Sequence, residues 1–320
     1  MRQQLKQINA MRQAVRTCLA QFGLMEVVTP ISTLMPGGET HLDALPVEFQ
    51  SIHGSKAVLY LRTSPEVWHK KLLAQGSGPI FELAPCVRDG EGGRWHDLEF
   101  EMVEWYRPHG HFDDLVADVE ALLECTYGLN NKVRPATIRT TVQQLFEQHV
   151  GCVLDPSLPL TDFKRELSRC GINCADDDTW DDAFFRAWVS RVEPELTNQG
   201  TVVIERYPAS QAAMAKLCSD DSRFCERFEV YVEGVELANA FNELTDGQEQ
   251  RKRFEQWQNE RQRLGKKSFP KDETFFDAVD QLPPTVGIAL GLDRLMALAL
   301  GSTSLTAVRP FKLDDLLETH

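Results

Sequence analysis

Apolar residues Leu5, Ile8, Met11, Val15, Leu19 and Phe22 recur at spacings of three and four. That period predicts one amphipathic helix, which Gly23 is placed to end because glycine tolerates the left-handed conformation of a helix C-terminus. A short β-prone run, Met25 to Thr29, follows and stops at Pro30. Strand patterns return at Val58–Arg62, at Ile80–Leu83 and most clearly over Glu99–Tyr106, whereas 111–129 reads as a helix. The stretch 141–200 is mostly helical in pattern, with Pro and Asp clusters, and reads as an insertion or small subdomain. A β-rich stretch resumes at Thr201, and Phe228–Phe241 predicts a hairpin turning at Glu233-Gly234. Glu249–Leu264 reads as a charged helix, and Gly287–Leu300 as a strand running into a buried helix. Strands and helices do not alternate regularly, so the expectation is an antiparallel α+β domain spanning 1–320 rather than a doubly wound sheet.

Composition narrows this little. The 320 residues are 42% hydrophobic, 26% charged and 9% aromatic, enough for one large core or two modest ones. The N-terminal segment has no apolar run of the secretory type, and no stretch reaches the ~18 apolar residues of a membrane span. Eight cysteines, none in a Cys-x-x-Cys pair, fit free thiols in a reducing cytoplasm. A net charge of −14 argues against a surface built wholly for nucleic acid and leaves room for a local basic patch.

Candidate chemistry begins on Glu99–Tyr106. Strand periodicity puts Phe100, Met102, Glu104 and Tyr106 on one face. At ~3.3 Å per residue Phe100 lies about 13 Å from Glu104 and about 20 Å from Tyr106. That is the reach of an extended amino-acid adenylate, with a ring to stack on a purine and a carboxylate and phenol to bind an ammonium. The alternative is an amphipathic strand with a solvated face. In the hairpin, Tyr231 falls opposite Glu236 and leaves Glu229 diagonal on the same face, about 7–8 Å away. Two such carboxylates suit a divalent cation, unless the face is simply solvated. In Gly287-Ile-Ala-Leu-Gly-Leu-Asp-Arg294, glycines at a strand-to-helix junction and a cation in the first helical turn suit a phosphate, although such junctions are common in structural roles. His109 and His111 are weak metal candidates, and Asp176–Asp182 reads as a solvated loop or helix cap. The basic residues of 251–271 read as an exposed helix face, with a docking surface as the alternative.

In order, these elements resemble the three signature motifs of class II aminoacyl-tRNA synthetases, over nearly the whole chain. Gly23-Leu-Met-Glu-Val-Val-Thr-Pro30 is similar to motif 1, which implies a homodimer. Cys86-Val-Arg-Asp-Gly-Glu-Gly-Gly-Arg-Trp-His-Asp-Leu-Glu-Phe100, running into Glu-Trp-Tyr, resembles motif 2 of the lysyl branch, and Gly287 to Arg294 resembles motif 3. Thr63-Ser-Pro-Glu66, Glu226-Arg-Phe-Glu229 and the run Glu236 to Asp246 are similar to further lysyl-branch motifs. The resemblance implies the class II catalytic fold, an antiparallel sheet flanked by helices. Lysyl-tRNA synthetases carry an anticodon-binding barrel before motif 1, which here begins within the first thirty residues. The chain therefore resembles the truncated branch that joins (R)-β-lysine to a lysine of translation elongation factor P, with no tRNA partner. Glu104-Trp-Tyr-Arg-Pro108, Pro208-Ala-Ser-Gln-Ala212 and Ala289, where tRNA-charging relatives have glycine, share in that resemblance.

Carried over motif by motif, the resemblance implies that Arg88 contacts the α-phosphate and the substrate carboxylate, and Arg294 the γ-phosphate. Phe100 stacks on adenine, His96 lies near the phosphates, and Asp89, Gly90, Asp97, Glu236, Leu237 and Gly291 complete the ATP site. Glu229 and Glu236 hold Mg²⁺. Ser64, Pro65, Glu66, Asn239 and Ala289 line the amino-acid site, Glu66 facing the backbone-side amine, while Glu104, Tyr106 and Glu243 receive the side-chain ammonium. Strict alternation puts Glu243 opposite in face to Glu236, so its role requires a bulge or strand end near Asn239–Phe241. The motif 2 core departs from the family's Arg-Asn-Glu: it reads Arg88-Asp89-Gly90, with Asp97 for Asn and Leu98 for Pro. A carboxylate expected at ATP is lost, Glu91 is the neighbour able to replace it, and Gly90, Gly92 and Gly93 imply a mobile loop.

The implied reaction is attack of the amino-acid carboxylate on ATP to give an adenylate, with arginines and Mg²⁺ stabilising charge, followed by transfer to an acceptor amine. Two alternatives stay open. One is the same chemistry with another acceptor, such as tRNA, a carrier protein or a small amine. The other is a catalytically weakened regulatory paralogue, favoured by the altered motif 2 and opposed by Arg294, Glu229 and Glu236.

Overall fold

The computed structural model describes residues 1–37 and 39–312. Along the chain run α1 (Arg2–Gln21), β1 (Met25–Glu26), β2 (Ser32–Thr33), β3 (Pro46–Gln50), β4 (Lys56–Leu61), α2 (Glu66–Ala74), β5 (Ile80–Val87), β6 (Glu99–Pro108) and α3 (Phe112–Gly128). Then follow β7 (Thr137–Thr141), α4 (Val142–Leu145), α5 (Leu160–Arg169), α6 (Trp180–Ala187), β8 (Thr201–Pro208), β9 (Phe224–Val232) and β10 (Val235–Asn242). The last elements are α7 (Gly247–Arg263), α8 (Glu273–Val279), β11 (Thr285–Gly291) and α9 (Leu292–Leu300). The chain divides into two compact units, Met1–Arg134 with the segment from Glu243 onward, and Pro135–Asn242.

The first unit is organised around β6, which pairs antiparallel with β5 on one side and β11 on the other; β1 adds a short parallel edge to β5. Both faces of β6 are covered, which is why its apolar residues are not confined to alternate positions. On one face Trp105 Nε1 donates to Asp118 Oδ2 of α3 at 2.9 Å, and Arg107 binds the same carboxylate through Nε and Nη2, each at 2.7 Å. On the other face the register sets Glu82 opposite Glu104 and Cys86 opposite Phe100 across β5 and β6, and sets Gly287 and Ala289 opposite Tyr106 and Glu104 across β11. The expected face of Phe100, Met102, Glu104 and Tyr106 is formed. Helix α1 buries Met11, Val15 and Leu19, and Gly23 ends it at φ +81°. A separate small antiparallel sheet has the order β2-β4-β3.

In the second unit β8, β9 and β10 are antiparallel, and β7 lies parallel to β8. The helical stretch expected at 141–200 belongs to this unit, where Phe163 stacks on Trp180 with ring centroids 4.7 Å apart and Phe146 on Phe184 at 5.1 Å. The β9–β10 turn is the one expected, with Glu233 and Gly234 at φ +51° and +77° and Tyr231 opposite Glu236. A Cβ at Gly234 would stand 2.8 Å from Thr197 Oγ1. Gly234→Ala combines that overlap with a left-handed backbone and is expected to cost about 1–3 kcal/mol, read by chemical denaturation.

All eight cysteines are free. Among the described residues no helix is long and apolar enough to cross a membrane.

Candidate active site

Helix α2 starts directly after Pro65, with the Glu66 N–H donating to Ser64 Oγ at 3.4 Å. Glu66, His69 and Lys70 stand three and four residues apart and so share one helix face. That face meets the polar row of β5 and β6. Lys70 Nζ lies 2.7 Å from Glu66 Oε1 and 2.8 Å from Glu243 Oε2. Tyr106 OH donates to Glu104 Oε1 at 2.6 Å. His69 Nε2 is 3.0 Å from Glu82 Oε2 and its Nδ1 is 3.3 Å from Glu104 Oε1. Arg62 closes the far side, with Nη2 2.9 Å from Glu82 Oε1 and Nη1 2.7 Å from Thr29 Oγ1.

Side chains of this set are nearly all sealed from solvent: Glu104 and Glu243 are 2% and 1% exposed, Lys70 1% and His69 0%. Burying that many carboxylates raises their proton affinity where cations do not match them. Burial pushes Glu243 up to about 8 against the pull of Lys70, with Glu66 and Glu104 adding to the rise. Glu66 is raised for the same reasons. Burial and the Glu104 charge hold the Tyr106 phenol well above its ordinary range. Glu82 goes the other way: burial is outweighed by His69, Thr29 and Arg62, and it falls to about 2. Glu104 Oε2 has no hydrogen-bond partner among the described residues, and Glu243 Oε2 has only its ion pair with Lys70, off the hydrogen-bond direction. Unpaired buried acceptors on carboxylates are costly and point to a cationic ligand.

The other end of the row is cationic. Arg88 follows β5, lies with its guanidinium 4.9 Å over the Phe100 ring, and donates through Nε to Thr63 O at 3.3 Å. At position 90, where a carboxylate was expected, Gly90 sits at φ +78°, a backbone that a side chain would strain, and Glu91 Oε1 comes within 3.5 Å of Arg88 Nη1. Arg294, in the first turn of α9, has Nη2 2.7 Å from His96 Nε2 and donates through Nε to Trp95 O at 3.1 Å. Burial and the Arg294 charge lower the His96 proton affinity, so a neutral ring accepts from the guanidinium. Asp97 is buried and its Oδ1 accepts from the Leu98 N–H at 2.9 Å, while the Asp89 N–H donates to Asp43 O at 2.9 Å. Gly291 is the N-cap of α9. The 88–98 loop, expected to be mobile, is tied at several points: Arg88 N–H to Leu98 O, Leu305 N–H to Arg94 O, Arg94 Nε to Thr303 O and Lys312 Nζ to Gly93 O.

Glu229, Glu236, Leu237 and Asn239 belong to the second unit. Tyr231 lies opposite Glu236 as expected, and a register shift between Glu236 and Ala238 then sets Asn239 opposite Glu229. The Glu229 carboxylate is already engaged: Oε2 accepts from Tyr207 OH at 2.6 Å and Tyr231 OH at 3.2 Å, and Oε1 from Arg227 Nη2 at 2.5 Å. A guanidinium in contact with one oxygen and two phenols on the other leave no open carboxylate pair, and the side chain of Glu236 is exposed. The expected Glu229–Glu236 magnesium site therefore does not fit this arrangement. Its register sets carboxylate against amide.

Other expectations resolve locally. Asp114 accepts from the His111 N–H and Asp182 from the Thr179 N–H, each starting a helix, and Asp178 pairs with Arg186. Of the basic residues expected on this face, Arg251, Lys252, Arg253, Arg261, Arg263 and Lys266 have carboxylates within ion-pair distance, as an ordinary charged helix face does. Sequence reasoning passed over His69, Lys70, Glu82 and Arg62. The available signals were the Glu66–His69–Lys70 spacing and a lone acid inside the apolar run Ile80–Leu83.

One strand row thus carries a carboxylate-rich end around Glu104 and a cationic end around Arg88. The sequence model of the family described as tRNA synthetases class II (D, K and N) matches residues 1–314, and the chain belongs to that family. Its members are ATP-dependent ligases, and so is this chain. Curated relatives narrow the likeness. Proteins named elongation factor P–(R)-β-lysine ligase from Histophilus somni, Hamiltonella defensa subsp. Acyrthosiphon pisum and Haemophilus influenzae are 39%, 37% and 36% identical to it. Each match covers 94% of this chain and 92% of the relative.

Proposed function

We propose that the chain activates (R)-β-lysine, or lysine, as an adenylate with ATP and transfers it to a lysine side chain of translation elongation factor P. The observation that carries this reading is the set Glu66, Glu104, Glu243 and Tyr106, three carboxylates gathered around one lysine with Glu104 Oε2 buried and without a hydrogen-bond partner among the described residues, which calls for an ammonium. The acceptor rests on the name shared by the relatives. Ala289 lies opposite Glu104 on the neighbouring strand, and its bearing on where the second amine fits rests on family resemblance.

In this reading Ser64, Pro65 and Glu66 hold the backbone-side amine, and Glu104, Tyr106 and Glu243 the terminal ammonium. The substrate carboxylate attacks the α-phosphorus and pyrophosphate leaves; an acceptor amine then attacks the carbonyl carbon and AMP leaves. Arg88 meets the charge developing on the α-phosphate, and Arg294, fixed by His96 and Trp95 O, the γ-phosphate. Glu91 supplies the carboxylate that position 90 lacks. Phe100 is the platform for adenine, with Arg88 held against it. Asp89, Gly90, Asp97 and Gly291 shape the ATP site through backbone and turn geometry. The roles of Glu236, Leu237 and Asn239 rest on family resemblance, and no step is assigned to a metal. A homodimer through residues 23–30, a cytoplasmic location and independence of tRNA belong to the same proposal.

One consequence is a pH effect. Burial raises the Glu243 proton affinity to about 8 against its Lys70 ion pair, so protonation competes with that pair over the neutral range, and an arriving ammonium shifts the balance toward the carboxylate. Amino-acid binding is expected to release a proton near pH 7 and to tighten as pH rises toward 8. Calorimetry in buffers of different ionisation enthalpy reads this directly. The acceptor is tested by the mass of elongation factor P after incubation with ATP and (R)-β-lysine. A gain of one lysyl unit is expected; an unchanged mass alongside active adenylation would overturn that acceptor.

A further inference from the structure

His69 and Glu82 lie beneath the ammonium pocket without any role in the reading above. Glu104 has two chemically equivalent oxygens, yet its surroundings treat them differently. Oε1 receives Tyr106 OH at 2.6 Å and faces His69 Nδ1 at 3.3 Å, whereas Oε2 is buried without a hydrogen-bond partner among the described residues. His69 cannot drift. Its ring packs edge-on against Tyr106 at 5.5 Å and 81°, and its Nε2 is 3.0 Å from Glu82 Oε2. Glu82 is fixed in turn by Arg62 Nη2 at 2.9 Å and Thr29 Oγ1 at 2.6 Å, and Arg62 by Thr29 O and Pro85 O. Restraint thus passes from the segment before β2 to one face of one carboxylate.

We infer that His69, braced by Glu82, is a positioning residue that with Tyr106 occupies Glu104 Oε1 and leaves Oε2 as the acceptor for the substrate's terminal ammonium. The inference rests on the reading of Glu104 as an ammonium receptor. The charges facing His69 are compatible with donation from both ring nitrogens. Burial opposes the imidazolium, but Glu104 and Glu82 outweigh it and raise its proton affinity above that of an ordinary histidine. Glu66, Lys70 and Glu243 form a neighbouring group that carries its own ion pairs. The Nδ1 contact lies outside hydrogen-bond alignment, as contacts in ligand-free sites often do. The device favours a substrate that brings three donors on a compact cation over one ending in a hydroxyl or methyl.

The test is amino-acid-dependent ATP–pyrophosphate exchange by His69→Leu and His69→Gln, with the thermal midpoint of each. His69→Leu is expected to raise the amino-acid KM about tenfold and leave the ATP KM near that of the unaltered protein, with a lowered midpoint because buried Glu82 loses a partner. His69→Gln, which keeps a donor, is expected to recover most of the loss. Should His69→Leu fail to fold, Glu82→Gln loosens the same brace, keeps an acceptor for Nε2 and is expected to raise the amino-acid KM alone, more weakly. An unchanged amino-acid KM in an active variant, or equal rises in both KM values, overturns the inference and leaves the function standing. No exchange by the unaltered protein with any diamino acid overturns the function reading itself.

Discussion

Glu104→Gln is expected to lower kcat/KM for the amino acid by about 10²–10³-fold, with the KM for ATP little changed. Glutamine keeps the shape and can still accept from Tyr106, so the change removes a charge rather than a contact. In a site where Glu104 is 2% exposed, water does not replace the lost counter-charge for an incoming ammonium. Removing one partner of a buried pair costs about 3–5 kcal/mol because the other charge stays buried and unmatched. The fold itself holds several acids here around one lysine, so losing one is expected to leave the melting temperature within a few degrees. Exchange rates at varied amino acid and varied ATP separate the two substrates. A loss that appeared equally in both KM values would place the defect in the fold, not in the pocket.

Gly287→Ala is expected to remove nearly all activity for a different reason. A Cβ at this position overlaps the Tyr106 ring and stands 2.5 Å from Glu243 Oε1. Both neighbours are buried, Tyr106 on the central strand and Glu243 held at its backbone by the Thr285 carbonyl at 2.9 Å. Neither can give way without disturbing the ammonium pocket. Overpacking of this kind costs about 1–3 kcal/mol of stability, read by denaturation, and the displaced Tyr106 and Glu243 are expected to carry the activity down by more than about 10²-fold. The glycine was visible in the sequence as part of a phosphate-type junction. Its position opposite Tyr106 ties it to the amino acid instead.

That reassignment marks where sequence reasoning reached its limit. Elements with a strong period were legible: α1 from its three-and-four spacing, β6 from alternation, the β9–β10 turn from Glu233-Gly234, and β11 running into α9. Strand β3 was passed over although Val47-Glu48-Phe49-Gln50 alternates, a run of five residues that are all exposed in the fold. Helix α2 was hidden by its mixture of charged and aromatic residues, and with it went His69 and Lys70, whose charges read as solvated until a sheet is brought against them. Glu104 and Tyr106 were legible because strand parity alone places them. Glu243 needed an irregular strand; the shift lies between Glu236 and Ala238, earlier than expected. Partners on β8 and β9, Tyr207 and Arg227 among them, engage the Glu229 carboxylate that hairpin geometry had offered to a metal. Side-chain partners on neighbouring strands have no signature along one segment.

The central claim, activation of an amino acid with a terminal ammonium, is tested most directly by ATP–pyrophosphate exchange of the full chain. The amino acids to compare are (R)-β-lysine, lysine and norleucine, which is lysine with its terminal ammonium replaced by hydrogen. The account predicts exchange with one or both diamino acids and none above background with norleucine. Equal exchange with norleucine, or none with either diamino acid, would contradict it.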